Sequence, residues 1–142
     1  MASVMTTTET SMADLLSQSH SVALLGVSPR PDTQSYAVAA YLQSQGYQLL
    51  PVTDGDDSIV GFPTVSSLGG IKKPVDLLSV FLNSEAPPSL KDDVLRLGVR
   101  AIWVEPGCSQ TVNAACQSTG LPVYSHHCIM DDHRSLLGNK KN

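Results

Sequence analysis

The segment from residue 21 to residue 42 constrains the fold of this chain more than any other part of it. It opens with a short apolar run, residues 22–25, which is too short to form a helix and which ends at Gly26. A polar loop with two prolines follows, and apolar residues then recur at helical spacing up to Leu42. A buried strand, a glycine turn, a loop and a helix form a βα unit, from which parallel sheets are built.

The loop of this βα unit is the first candidate binding site. In a parallel sheet such a loop lies at the carboxyl end of its strand, beside the N-terminus of the next helix. Free N–H groups and the helix dipole favour an anion at that point. Ser35 is the expected N-cap of the helix, and the hydroxyl groups of Ser28 and Thr33 add possible donors. The segment therefore predicts a phosphate site.

The rest of the chain alternates between short apolar runs and helical patterns. This alternation predicts the α/β class, with a Rossmann-like doubly wound parallel sheet of about five strands in a single domain. We expect the domain to span residues 11–138, with a flexible arm over residues 1–10 and a flexible tail over residues 139–142. Further strands are expected at 47–52, 75–81, 101–104 and 121–124, and helices at 12–17, 87–97, 111–119 and 131–137.

Composition excludes several classes of function. A net charge of −4 and the lack of a basic run argue against a nucleic-acid-binding protein. No apolar run approaches the roughly 20 residues that cross a bilayer, and the N-terminus lacks the features of a secretory signal. Three cysteines without a CxxC spacing predict free thiols, so the expected location is cytoplasmic. A nicotinamide dehydrogenase is disfavoured because the GxGxxG motif is absent.

An ordered set of short motifs extends from Gly26-Val27-Ser28 and Ser35-Tyr36 to Cys128-Ile129 and Asp132-His133. In this order the motifs resemble those of the small single-domain CoA-binding proteins, which are related to the CoA-binding domain of succinyl-CoA synthetase. The resemblance implies coenzyme A as the ligand, with its diphosphate on the first βα loop and its adenosine near the end of the second strand. The CoA-binding residues that it implies are Gly26, Val27, Ser28, Arg30, Ser35, Tyr36 and Thr53.

The chain departs from this family at basic positions. CoA carries a diphosphate and a 3′-phosphate, which cations normally bind. Where the family usually has basic residues, this chain has neutral ones, and an acidic turn occupies residues 54–57. Arg30 and the pair Lys72-Lys73 are the candidates for supplying the missing charge. The positions without the expected basic residue are Thr33, Gly55, Leu82 and Asn83.

A second group of candidate residues lies near the C-terminus, where histidine, cysteine and aspartate side chains occur together. Such side chains bind zinc, but their spacing matches no familiar zinc motif, so no metal is predicted. Two interpretations stay open for this cluster: structural hydrogen bonding and helix capping, or contact with a ligand or substrate. Glu105, after another strand, is either an exposed carboxylate or a general acid or base with a raised pKa.

Two main functional hypotheses follow, with a ligand-free interaction module as a third. The first is a small cytoplasmic protein that binds CoA or a nucleotide and has no catalysis of its own. The second is an enzyme that uses a related cleft for acid/base or thiol chemistry on a small metabolite. The first two predict a small-molecule ligand and neither nucleic acid nor membrane; the assembly is left open, with a homodimer as one alternative. The catalytic candidates are Glu105, His126, His127, Cys128, Asp132 and His133.

Overall fold

Five short strands pair in parallel in the computed structural model, which describes residues 11–54 and 58–138. The strands are β1 (Ser21–Leu25), β2 (Gln48–Val52), β5 (Leu77–Val80), β6 (Ala101–Val104) and β7 (Val123–Ser125). Their order in the sheet is β2-β1-β5-β6-β7. A small antiparallel hairpin, β3 (Ser58–Ile59) with β4 (Phe62–Pro63), follows β2. The helices are α1 (Met12–Gln18), α2 (Gln34–Ser44), α3 (Leu90–Leu97), α4 (Gln110–Gln117) and α5 (Ile129–Leu136), and Leu68–Gly70 forms a 3₁₀ turn.

Helices cover both faces of the sheet. One face packs against α1, α2 and α5, with the fully buried Trp103 near its centre. The other face packs against α3 and α4, whose Val94 and Val112 are fully buried. Every residue of β1, β5 and β6 is buried, which explains why these strands are continuous apolar runs rather than alternating patterns. The expected α/β class, the doubly wound parallel sheet and its five strands are confirmed.

The order of the strands creates a switch point between β1 and β5. From β1 the chain moves outward to β2 at one edge, then returns to the other side of β1 and continues through β5 and β6 to β7. The connections therefore leave β1 and β5 in opposite directions. In sheets of this kind a crevice opens outside the carboxyl ends of the two strands, and ligands bind there.

Two helix starts that the sequence suggested are wrong. Thr33, not Ser35, is the N-cap of α2, because its side chain accepts a hydrogen bond from the Tyr36 N–H group. Helix α3 begins at Leu90 rather than at residues 87–88, since the Leu90 N–H group bonds to the Pro87 carbonyl and closes a turn before the helix.

A third boundary matters more for the site. Helix α5 begins at Ile129, two residues before the expected start at residue 131. The expected edge position of the last strand is confirmed for β7, which begins at Val123. The expected arm over residues 1–10, the expected tail over 139–142 and residues 55–57 of the acidic turn lie outside the described residues.

Within residues 11–54 and 58–138, none of the helices is long and apolar enough to span a bilayer.

Candidate functional site

Two clefts open at the carboxyl edge of the sheet, and Gly26 lines both of them. The first cleft, of about 540 Å³, lies between the loops that follow β1, β5 and β6 and the start of α5. The second cleft, of about 480 Å³, lies between the loops that follow β1, β2 and β5. The two clefts flank the switch point between β1 and β5, which is where a ligand is expected in this type of sheet.

Gly26 allows the loops after β1 and β5 to approach each other closely. Its φ is +89°, a backbone conformation that side chains with a Cβ atom rarely adopt. A Cβ atom at this position would lie 2.8 Å from Leu82 Cδ2 and 3.2 Å from the Phe81 carbonyl oxygen. Conformation and space therefore both require glycine at the point where the two clefts meet.

The amide groups of the β1–α2 loop divide into two sets. The Gly26 N–H group donates to the Val52 carbonyl oxygen at 2.9 Å, and the Ser28 N–H group donates to Ser35 Oγ at 2.9 Å. These two N–H groups, which were expected to bind an anion, are thus hydrogen-bonded within the protein and stabilise the loop. The N–H groups of Gln34 and Ser35, in the first turn of α2, make no hydrogen bond to a described residue. The start of the helix therefore offers donors to a ligand.

The other residues of the expected CoA site are spread more widely. Thr53 lines the second cleft, at the end of β2. Arg30 is exposed, and its guanidinium group lies 3.0 Å from the Asp32 carboxylate. Val27 is buried, Tyr36 packs against the core, and neither of them lines the clefts.

Both clefts are acidic. In the part of the chain that the structure describes, no lysine or arginine lines either of them. Asp131 and Glu105 border the first cleft, and Asp54 and Glu85 border the second. The pair Lys72-Lys73 lines a separate groove of about 290 Å³ beside β2. These lysines therefore lie outside the lining of both clefts, and their contribution to the missing charge stays a prediction.

Glu105 lies at the edge of the first cleft and is 2% exposed. Its Oε2 atom accepts hydrogen bonds from the Ser79 hydroxyl group at 2.8 Å and from the Ile129 N–H group at 3.0 Å. Burial raises the pKa of the Glu105 carboxyl group, and the negative charge of Asp132 raises it further. Of the two interpretations of this residue, the exposed carboxylate is wrong, and the role as a general acid or base stays a prediction.

The C-terminal cluster is divided between different surroundings. His133 Nδ1 forms a 2.8 Å hydrogen bond with the hydroxyl group of Tyr41, which lies on α2. Asp132 accepts hydrogen bonds from the Trp103 indole at 2.9 Å and from His127 at 2.8 Å. His126 is exposed, with a φ of +60°. In the described ranges, no three His, Cys, Asp or Glu side chains are placed to hold a metal ion.

Cys128 is the member of the cluster that lines the first cleft together with Asp131. Burial raises the pKa of its thiol to about 11, and the neighbouring Glu105 charge contributes to the rise. A thiol acts as a nucleophile through its thiolate form, which is scarce at neutral pH when the pKa is this high. The raised pKa therefore disfavours a cysteine nucleophile. His133, one of the suggested bases, is hydrogen-bonded to Tyr41 and does not line the first cleft.

This high pKa leads to an expected labelling result. At neutral pH, Cys128 should react with iodoacetamide about 100-fold more slowly than a thiol of pKa 9, because a rise of about two units lowers the thiolate fraction by that factor. Mass spectrometry of peptides labelled for increasing times measures the rate. In denaturant, the three cysteines should react at similar rates. Fast labelling of Cys128 in the native protein would contradict the expectation.

Several residues of the first cleft were not identified as site residues from the sequence. Gln34, Phe81 and Gly107 line this cleft, and the Ser79 hydroxyl group donates a hydrogen bond to the Glu105 carboxyl group. Their positions in the sequence could have identified two of them as site residues, because Phe81 directly follows β5 and Gly107 lies in the turn after β6. Side chains at the carboxyl ends of neighbouring parallel strands meet at one edge of the sheet.

Comparison with known proteins gave consistent matches. A family model described as "CoA binding domain" matches residues 20–134. The uncharacterized protein YneT of Bacillus subtilis is 32% identical over 121 residues, which cover 84% of this chain and 90% of YneT. A solved structure from Thermus thermophilus, described as cell-free ID.343, is 33% identical with a TM-score of 0.72, and the match covers 87% of this chain and 94% of that one. A hypothetical protein from Pyrococcus horikoshii has the same fold, with a TM-score of 0.74 at 23% identity over 88% of this chain and 89% of its own.

Proposed function

The chain belongs to the CoA-binding domain family related to succinyl-CoA synthetase, and from this membership we propose that it is a small protein that binds coenzyme A at its β1/β5 switch point. The observation that supports this function best is the start of α2, where two N–H groups without a partner among the described residues border a cleft of about 540 Å³. A pocket of this size is typical of small-molecule sites.

The start of α2 suits a diphosphate for two reasons. Helix α2 is 11 residues long and has no acidic residue in its first turn, so its positive end is not neutralised by its own side chains. The free N–H groups of Gln34 and Ser35 supply directed donors to phosphate oxygens. The diphosphate is therefore proposed to lie against this turn, above the Gly26 backbone.

The two clefts accommodate the two ends of an extended ligand. The adenosine is proposed to occupy the second cleft, beside Thr53, because the family resemblance places it near the end of β2. The pantetheine arm would then lie in the first cleft, towards Glu105 and Cys128. Gly26, which borders both clefts, marks the passage between the two halves of the ligand.

Isothermal titration calorimetry with CoA, dephospho-CoA, ADP and inorganic phosphate tests this proposal. CoA is expected to bind, although its affinity is limited because no cation lines the clefts within the described residues. Dephospho-CoA should bind at least as tightly, since Asp54 and Glu85 border the second cleft and repel a 3′-phosphate. The absence of heat with all of these ligands at millimolar concentration would refute CoA binding.

Adding a cation to the first cleft should increase the affinity for CoA. Asn83 is exposed and lines this cleft, so Asn83→Arg places a guanidinium group beside the proposed diphosphate. We expect a gain of about 1 kcal/mol, or roughly fivefold in the dissociation constant measured by calorimetry. The matched control is Gln48→Arg, which adds the same charge at the exposed amino end of β2. Equal gains from both variants would argue against a diphosphate near Asn83.

A further inference from the structure

The two oxygen atoms of the Glu105 carboxyl group have unequal surroundings. Oε2 accepts hydrogen bonds from two fully buried residues, Ser79 and Ile129. Oε1 is buried as well, but it makes no hydrogen bond of ordinary geometry to any described residue. The Cys128 thiol forms a side-chain hydrogen bond with the carboxyl group, and a thiol is a weak hydrogen-bonding partner. One oxygen of this buried group is thus fully engaged, and the other has at most a thiol as its partner.

This asymmetry determines which oxygen carries the proton when Glu105 is neutral. Two donors already point at Oε2 and occupy its lone pairs, so the proton resides on Oε1. Neutral Glu105 therefore presents an O–H donor for which the described residues provide no conventional acceptor. Buried donors are normally hydrogen-bonded, and an exception at the border of a cleft indicates that a ligand supplies the partner.

Burial of Glu105 and the charge of Asp132 favour its neutral form, and the net shift of its pKa is upward, whereas the hydrogen bonds from Ile129, Ser79 and Cys128 favour the ionised form. Strand β5 contributes the uncharged Ser79 hydroxyl group, and the β6–α4 loop contributes the Cys108 thiol. From the β7–α5 side come the Cys128 thiol and the negative charge of Asp132, which is paired with His127. No cation is among these neighbours, and burial together with Asp132 raises the pKa of Glu105.

The ligand group that complements this donor is a neutral acceptor. An anionic oxygen placed at Glu105 would be repelled by the nearby charge of Asp132, which already raises the pKa of Glu105. A carbonyl oxygen accepts a hydrogen bond without adding charge. In the proposed CoA site, the first cleft holds the sulfur end of the cofactor, where a thioester carbonyl group would lie.

We propose that Glu105 Oε1–H donates a hydrogen bond to the carbonyl oxygen of an acyl thioester, so that the preferred ligand of this protein is a short, uncharged acyl-CoA rather than free CoA. This inference rests on the proposed CoA-binding function and adds its substrate class. No bond is made or broken, and Glu105 acts as a recognition residue. Binding of the thioester is coupled to protonation of Glu105, because the ionised carboxylate has no proton to donate and repels the carbonyl oxygen.

Calorimetry with acetyl-CoA and CoA at pH 5.5 and pH 8.0 tests the inference. The wild-type protein should prefer acetyl-CoA by roughly fivefold at the lower pH, as one net hydrogen bond provides. This preference should decrease at the higher pH, as Glu105 loses its proton. In Glu105→Gln the amide oxygen accepts from Ser79 and Ile129 while the amide N–H group donates at all pH values. The variant should therefore prefer acetyl-CoA equally at both pH values.

His127→Gln is the matched control, since His127 is a nearby ionisable group that pairs with Asp132 and does not line the cleft. It should keep the pH dependence of the wild type. The inference is overturned if acetyl-CoA and CoA bind equally at both pH values, if their affinities fall together, or if the preference for acetyl-CoA increases with pH. Loss of the pH dependence in His127→Gln would overturn it too. Failure of both ligands to bind at either pH would instead refute the proposed CoA function.

Discussion

Replacing Gly26 with alanine is expected to destabilise the protein by about 2–5 kcal/mol and to abolish CoA binding. Two effects add: the strain of a Cβ atom at a φ of +89°, about 1–2 kcal/mol, and overpacking against Leu82 and the Phe81 carbonyl group, about 1–3 kcal/mol. The carbonyl group belongs to the chain that leaves a central strand, so it cannot move aside easily. Equilibrium unfolding in urea measures the loss, and calorimetry under native conditions measures binding.

Gly46→Ala separates the two effects. Gly46 has a nearly identical φ of +94°, but a Cβ atom there would meet nothing within 4 Å. Its replacement should cost about 1–2 kcal/mol through strain alone and leave CoA binding intact. Equal destabilisation by the two substitutions would show that the loops after β1 and β5 relax apart, and that the close contact at Gly26 does not shape the clefts.

Replacing Glu105 should produce a change in stability that depends on pH. The pKa of Glu105 is raised in the folded state, so its contribution to stability is complete below the pKa of the unfolded chain and is lost as the pH rises through the folded-state pKa. Glu105→Gln cannot ionise and keeps an acceptor for Ser79 and Ile129. The unfolding free energy of Glu105→Gln relative to the wild type should therefore be higher at pH 8 than at pH 4.5.

Glu105→Ala should be destabilising throughout this pH range. It leaves the Ser79 hydroxyl group and the Ile129 N–H group buried without their acceptor, at a cost of about 2–4 kcal/mol. Glu85→Gln, which removes the same charge from an exposed position, should change stability by less than about 0.5 kcal/mol at each pH. Parallel stability curves for Glu105→Gln and the wild type would show that Glu105 does not titrate abnormally.

The burial of Glu105 shows why its role was left open before the structure was known. The residue directly follows β6 and precedes the exposed Pro106 and Gly107, a pattern equally compatible with an exposed strand end. Its burial depends on α5, which begins at Ile129 and places that N–H group on the carboxylate from 24 positions away in the sequence. Periodicity within a short segment contains no information on such a distant contact.

The C-terminal cluster illustrates the same limit. Asp132 and His133 are adjacent in sequence, but successive residues of a helix point about 100° apart. Asp132 therefore reaches Trp103 on β6, while His133 reaches Tyr41 on α2. Residues that are adjacent in sequence therefore do not form one metal or catalytic cluster when they lie on a helix.

The fold class could be predicted from the sequence because strands covered on both faces are apolar throughout. Such apolar runs also alternate with helical patterns and glycine turns. The position of the candidate site followed, since the carboxyl ends of parallel strands share one edge. The chemistry of the site did not follow. Which amides of the first loop remain free, which carboxyl group is buried and which histidines leave the cleft all depend on contacts between distant elements, and these form only when both faces of the sheet are packed.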